Sequence, residues 1–313
     1  MRKMLIGLVL ILVLFASGSF ADNYFNFEYK AQFGAQEIGR ASGIAIDASD
    51  NIYVGDPANG VVHKFNNDLK HVAKIRANKL NYNGSNDVVV DKAGNIYVMD
   101  SYNKANTQRI VKFDKNGSFV NTFGKKGVGE GEFNNMTGIA INYAGSIFVL
   151  DNPYIKIFTS NGKFITQWGP KYEISGKCIT IDSLGIVYIA GPFYINKYDP
   201  LTGELIEAWE QFFLKSPEGI VVDKGGRVYV TDQFDKKVKI FDNKGKLIDY
   251  FHGSKMKDGN FNNVFGIAID SMGCVYVAED INHRVQKFAL AIKAQVIPAP
   301  DKPIVEVKSK RSK

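Results

Sequence analysis

Between Gly43 and Phe288 the apolar and polar positions repeat one phrase six times. A short β-branched run ends in an acid or amide. A tight turn follows, and a second run sets an aromatic among Val and Ile. The copies read GIAIDASDNIYVGD from Gly43, DVVVDKAGNIYVMD from Asp87, GIAINYAGSIFVLD from Gly138, CITIDSLGIVYIAG from Cys178, GIVVDKGGRVYVTD from Gly219 and GIAIDSMGCVYVAE from Gly266. The first run alternates little, as a strand covered on both faces should. In five copies Gly94, Gly145, Gly185, Gly226 or Gly273 closes the turn, with Asp50 in its place in the first. The turn predicts a positive φ there. A third run ends on Phe65, Phe113, Phe158, Tyr198, Phe241 and Phe288. A fourth spaces apolar residues four apart, as in Phe119 and Phe123, Phe164 and Trp168, Leu205 and Trp209, Leu247 and Phe251.

The first acids or amides (Asp47, Asp91, Asn142, Asp182, Asp223, Asp270) recur at roughly 40–51 residues, the period of a four-stranded propeller blade. The pattern predicts an all-β six-bladed propeller of four-stranded antiparallel blades. The aromatics of the second strands (Tyr53, Tyr97, Phe148, Tyr188, Tyr229, Tyr276) are expected to wedge between successive blades. The sixth copy lacks an outer strand, because Phe288 is soon followed by Pro298, Pro300 and Pro303. Tyr29 and Phe33-Gly34 reproduce the spacing of Phe119 and Phe123-Gly124. The segment Asn26–Phe33, within residues 22–34, should therefore close the ring as the missing strand and remove its open edges.

The rest of the chain sets the bounds. Residues 1–21 have the form of a signal peptide: Arg2 and Lys3, an apolar run from Met4 to Ala16, and a small-residue end at Ser19-Phe20-Ala21. A secreted, periplasmic or otherwise extracytoplasmic protein follows, with a retained N-terminal membrane anchor as the alternative. The propeller occupies residues 22–288, and residues 289–313 form a Pro- and Lys-containing tail of flexible or polyproline character. The formal charge of +7 sits mostly in Arg2, Lys3 and the tail, leaving the propeller nearly neutral. That distribution argues against a nucleic-acid partner. Cys178 and Cys274 fall in blades that are not neighbours, too far apart for a disulfide, and two cysteines build no zinc framework.

The phrases resemble the NHL repeat. The nearest matches are Ile281-Asn282-His283-Arg284-Val285 with Phe288, and the linkers GVGEGEFNNMTGIAI from Gly127 and DGNFNNVFGIAI from Asp258. Blade four departs, with Gly191 for the acid and Pro192-Phe193-Tyr194 for the polar turn. Blade two departs through a longer Ser101–Gln108 segment. The resemblance implies a six-bladed propeller and no single activity, since similar domains are protein-binding platforms, RNA readers and lyases.

In a propeller the inter-blade linkers and the turns between second and third strands share one face. That face is expected to carry Asp56, Asp100, Asp151, Asp232 and Asp280, as an acidic ring for a cation or as acceptors for the following turn and for Arg109 or Arg284. It also collects Tyr102, Tyr154, Phe193, Tyr194 and Phe234 as a half-crown of candidate contact residues, with Asp100, Asp232, Asn282, His283 and Arg284 as polar neighbours. Exposed aromatics beside Asn and Asp suit a peptide or a sugar ring. The expected function is an exported, monomeric, non-catalytic binding platform for a protein or peptide, or else a cell-surface glycan. No catalytic residue or cofactor is assigned, and the membrane enters only through an uncleaved leader. The alternative is a hydrolase or lyase with calcium or zinc in the channel. Amidating-lyase propellers use several channel histidines, whereas here only His283 has a suitable place: His63 lies in a third strand, His71 in an outer-strand turn and His252 in a linker. Lactonase-type propellers use a Glu, an Asn and an Asp, for which Glu218 and Asn86 ahead of first strands would be the candidates.

Overall fold

The six phrases fold into six four-stranded antiparallel sheets in a computed structural model that describes residues 26–76, 85–102, 107–169, 174–253 and 260–291, apart from the side chains of Ser85, Asn86 and Tyr102. Inner strands run Ile44–Ile46, Ser85–Val90, Met136–Ile141, Cys178–Ile181, Pro217–Val222 and Val264–Ile269. Second strands run Ile52–Asp56, Ile96–Tyr102, Ile147–Asp151, Val187–Gly191, Val228–Asp232 and Val275–Glu279. Each blade then adds a third and an outer strand in sequence order, except the sixth. There Phe27–Phe33 supplies the outer strand and pairs with Arg284–Leu290, from Phe27 opposite Leu290 to Phe33 opposite Val285. Ring closure by the N-terminal strand is as the Tyr29 and Phe33-Gly34 spacing predicts.

The turn glycines owe their place to backbone geometry. Gly94, Gly145, Gly185, Gly226 and Gly273 have φ between 79° and 92°, and Asp50 has 57°, the left-handed region that a side chain enters at a cost. The acid three residues before each of these positions, or Asn142 in blade three, accepts turn N–H groups. Asp47, for example, takes Ser49 and Asn51 N–H at 2.9 and 3.0 Å.

The aromatic one residue into each second strand wedges between blades. Tyr53 packs with Val88, Val98 and Phe113 of blade two, and Tyr276 packs with Ile44 and Phe65 of blade one. Five of these six aromatics are tyrosines. Each donates its buried hydroxyl to the turn acid of its own blade, at 3.0–3.1 Å. Blade three has Phe148 instead, and its turn carries Asn142 in place of the acid. Donor and charge are lost together, so no buried carboxylate is left without its partner.

Candidate functional site

Antiparallel order puts the inter-blade linkers and the turns between second and third strands at one end of every blade. On this linker face the second strands of five blades carry a buried acid at or near their ends: Asp56, Asp100, Asp151, Asp232 and, in blade six, Glu279. The sequence reading placed Asp280 in this set. The strand ends one residue earlier, so Glu279 takes the position while Asp280 holds Arg40 at 2.7 Å and Asn263 at 2.9 Å.

The acids act as staples. Asp56 accepts Gly39 and Arg40 N–H from the linker (2.7 and 3.0 Å), Ala58 and Asn59 from the following turn, and His63 Nε2 at 3.1 Å. Burial alone would raise this carboxyl, but the bonds from His63, Gly39 and Asn59 outweigh it and hold it at about 2. Asp232 accepts Lys215 and Ser216 N–H and pairs with buried Lys239. Asp151 does the same with Asn134 and Lys156, and Glu279 with Asn262, Asn282, Arg284 and Gln286. Asp100 pairs with Arg109 at 2.9 Å. Thus Asp100, Asp232 and Arg284 are buried inside the scaffold, Asn282 is tied to it, and His283 alone of the proposed polar neighbours is exposed.

Blade four keeps the staple but changes its chemistry. Gly191 replaces the acid and Asn196 replaces the basic partner on the third strand. A Cβ on Gly191 would stand 2.5 Å from the Tyr194 ring. The ring therefore covers the space a carboxylate would fill, and its hydroxyl donates to the linker carbonyl of Ser175. Burial pushes this phenol up to about 12, the nearby Tyr198 adding to the shift.

The remaining aromatics differ in exposure. Tyr154 opens its third strand half-buried, while the side chain of Tyr102 lies outside the described residues. Phe193 and Phe234 project from the turns of blades four and five, joined by two residues that the sequence reading passed over, Phe212 and Phe213 in the intervening linker. Exposure runs from 51% for Phe193 to 71% for Phe212. The patch has a fixed frame. Phe193 N–H donates to the Leu214 carbonyl, and the Phe193 carbonyl accepts Gln211 N–H at 2.6 Å. The Phe213 carbonyl accepts from Lys239, and Phe234 N–H donates to Asp232 at 3.1 Å. The Lys215 ammonium lies 4.2 Å from the Phe234 ring centre. The one signal for Phe212-Phe213 was a run of three large apolar residues, Phe212-Phe213-Leu214, between Gln211 and Lys215, outside every strand of the repeat.

The channel offers a different set. At one equivalent place in or just before the inner strands stand Gly43, Asp87, Gly138, Cys178, Gly219 and Gly266 in turn, beside a channel cavity of about 290 Å³. A Cβ on Gly219 or Gly266 would come within 2.6 Å of a carbonyl oxygen of the next blade. Blades two and four put side chains at this position instead. Burial raises the Asp87 carboxyl to about 6 despite N–H bonds from Val88 and Ile139. Burial, with the charges of Glu218 and Asp87, pushes the Cys178 thiol up. Both cysteines are free thiols. Glu218 lies within the inner strand rather than ahead of it, 3.8 Å from Lys177. Asn86 is also in an inner strand, with its side chain outside the described residues. His71 opens the outer strand of blade one, 3.1 Å from His63. Among the described residues no three His, Cys, Asp or Glu side chains gather as metal ligands would.

Residues 84–167 match a family described as 6-bladed beta-propeller (DUF5128). The chain is 29% identical over 143 residues to Protein brain tumor of Drosophila melanogaster, and 27% identical over 143 residues to the B-box type zinc finger protein ncl-1 of Caenorhabditis elegans. Both relatives are NHL-repeat proteins. The matches take in 42% of this chain but only 14% and 17% of those relatives. Among solved structures, virginiamycin B lyase from Staphylococcus aureus aligns over 85% of this chain and 100% of its own, at TM-score 0.60 and 13% identity. An auxiliary nutrient binding protein from Bacteroides thetaiotaomicron aligns over 81% and 69%, at TM-score 0.62 and 14% identity. At such identities the likeness is one of fold.

Proposed function

We propose that this six-bladed propeller of NHL type is an exported platform whose linker face binds a protein or peptide segment through Phe193, Phe212, Phe213 and Phe234. The observation that carries the reading is this patch of four rings, more than half exposed, on a frame of backbone bonds and a buried ion pair. Large exposed apolar patches on a soluble fold mark interaction sites, and rings already held in place lose little freedom on binding. Lys215 beside Phe234 favours a partner that brings a carboxylate with its apolar residues. Tyr154 and His283 extend the surface. Tyr102 belongs to it by its place at the end of the second strand of blade two.

A cell-surface glycan is the second reading, favoured by Phe faces that could stack on sugar rings. The channel hydrolase or lyase has less to build on, since Glu218 is drawn to Lys177 and the described residues gather no metal donor set.

The test is binding of the full chain to an array of acidic-aromatic peptides and to an array of cell-surface oligosaccharides. A variant with Phe193, Phe212, Phe213 and Phe234 all changed to Ala is run alongside. Selective peptide binding, lost at least tenfold in the variant, is expected. Peptide binding that survives the four substitutions would remove the face from the account, and selective oligosaccharide binding would put the second reading first.

A further inference from the structure

The opposite end of the ring carries the turns from first to second and from third to outer strands. The residues farthest out on this turn face follow a rule. The acids that open the inner turns, Asp47, Asp91, Asp182, Asp223 and Asp270, are drawn inward onto turn N–H groups and tyrosine hydroxyls. Asp114 and Asp242 in the outer turns accept turn N–H groups in the same way. Among the charged residues left exposed there, lysine predominates. Lys92, Lys115, Lys163, Lys224 and Lys244 are exposed, and of the acids only Asp68 and Glu204 among the described turns stand out with them. Tyr143, Leu184, Leu201 and Met272 sit at turn tips with exposures of 83–87%. The repeat does not require a large apolar residue there: where Tyr143, Leu184 and Met272 stand, other blades have Lys92, Ser49 or Gly225.

Both ends of the described chain emerge on this same face. Phe27 pairs with Leu290, and Ala291 N–H donates to the Asn26 carbonyl at 2.6 Å. The apolar run Met4–Ala16 therefore joins the propeller here. So does the tail bearing Lys293, Lys302, Lys308, Lys310, Arg311 and Lys313 against Asp301 and Glu306. Among the described residues no helix is long and apolar enough to cross a membrane.

We infer that the turn face is a membrane-contact surface. Tyr143, Leu184, Leu201 and Met272 enter the interfacial zone of a bilayer, while the exposed turn lysines meet anionic headgroups. Isolated apolar tips ringed by lysine suit an interface that is apolar a few ångströms down and negative above. A protein partner would call for a contiguous apolar patch instead. The arrangement aims the aromatic linker face away from the bilayer, whether or not that face binds a peptide.

The experiment uses the full chain with vesicles of phosphatidylcholine and phosphatidylglycerol at seven to three, part of the phosphatidylcholine carrying brominated acyl chains. Leu184→Trp and Leu201→Trp report from the turn face and Phe212→Trp from the linker face, each read as the difference from the wild-type chain with its buried Trp168 and Trp209. Blue-shifted emission quenched by the brominated lipid is expected for the first two and not for the third. A variant with Tyr143, Leu184, Leu201 and Met272 all changed to Ser, melting as the wild type does, should partition onto the vesicles at least tenfold more weakly. Equal quenching from the two faces, undiminished partitioning of the serine variant, or a turn face that instead captures a protein and ignores vesicles would overturn the inference.

Discussion

Blades four and five perform one structural task with different chemistry. In blade five a buried carboxylate, Asp232, gathers the Lys215 and Ser216 N–H groups of the linker and is neutralised by Lys239. In blade four the carboxylate is gone, its counter-charge is gone, and Tyr194 covers Gly191 and ties down the linker through Ser175. The difference bears on function. Where an acid does the stapling, the aromatic of the turn, Phe234, is left to solvent. Where the aromatic does it, Tyr194 is partly spent, and Phe193, one residue earlier at a φ of +71°, takes the exposed place. Blade three repeats the lesson on the other face, where Phe148 and Asn142 replace tyrosine and acid together. Buried charge and its partner come and go as pairs, because one alone is costly.

Breaking the pair in blade five should have the largest effect. Asp232→Ala leaves Lys239 buried without its main counter-charge and two linker N–H groups without an acceptor, a loss of about 3–5 kcal/mol in unfolding free energy. Asp232→Gly combined with Lys239→Asn, which gives blade five the pair found in blade four, should cost less, about 1–3 kcal/mol for the linker donors that remain. Chemical denaturation of the two variants makes the comparison. A double variant as unstable as the single one would contradict paired loss.

Acid provides the next test. Burial works to raise the Asp232 carboxyl, but the bonds from Lys239, Lys215 and Ser216 prevail and hold it below its ordinary value of 3.8. A carboxyl lowered on folding contributes stability above its unfolded pKa and loses it as pH falls through the folded one. The wild type should therefore lose melting temperature below about pH 4, and the double variant should lose less over the same range. Equal acid sensitivity would place the effect in other carboxylates, such as Asp56 at about 2.

A smaller change is expected from Tyr194→Phe. It removes one hydroxyl bond while leaving the ring over Gly191, for about 1 kcal/mol. Amide exchange in the linker around Ser175 should quicken while the linker at Lys215 and Ser216 stays protected. Unchanged exchange near Ser175 would mean that the ring alone holds it.

The repeat made most of this fold legible. Period, turn glycines, wedge aromatics and the closing strand all rest on interactions within one blade or between neighbours, so each leaves a local mark in the sequence. Even so, the run Val-Ala-Glu-Asp let the acid of blade six be placed at Asp280 when strand length puts it at Glu279. The site was less legible because its pieces come from different segments. Phe212 and Phe213 lay in what read as a spacer. The commitment of Tyr194 depends on the side chain that Gly191 lacks, a relation visible only once ring and glycine stand together. The staples Asp100, Asp232 and Arg284 looked like candidates for contact because sequence shows that a residue is polar and not that its partners are already within reach.

The most direct test of a binding face separable from its scaffold is the thermal melt of the variant with Phe193, Phe212, Phe213 and Phe234 all changed to Ala, run beside Asp232→Ala. The account predicts that four exposed rings can be removed with the melting temperature within about 2 °C of the wild type, since surface changes are nearly neutral, while the single buried acid cannot. A four-fold variant that melts as low as Asp232→Ala would return the aromatics to the core and contradict the account.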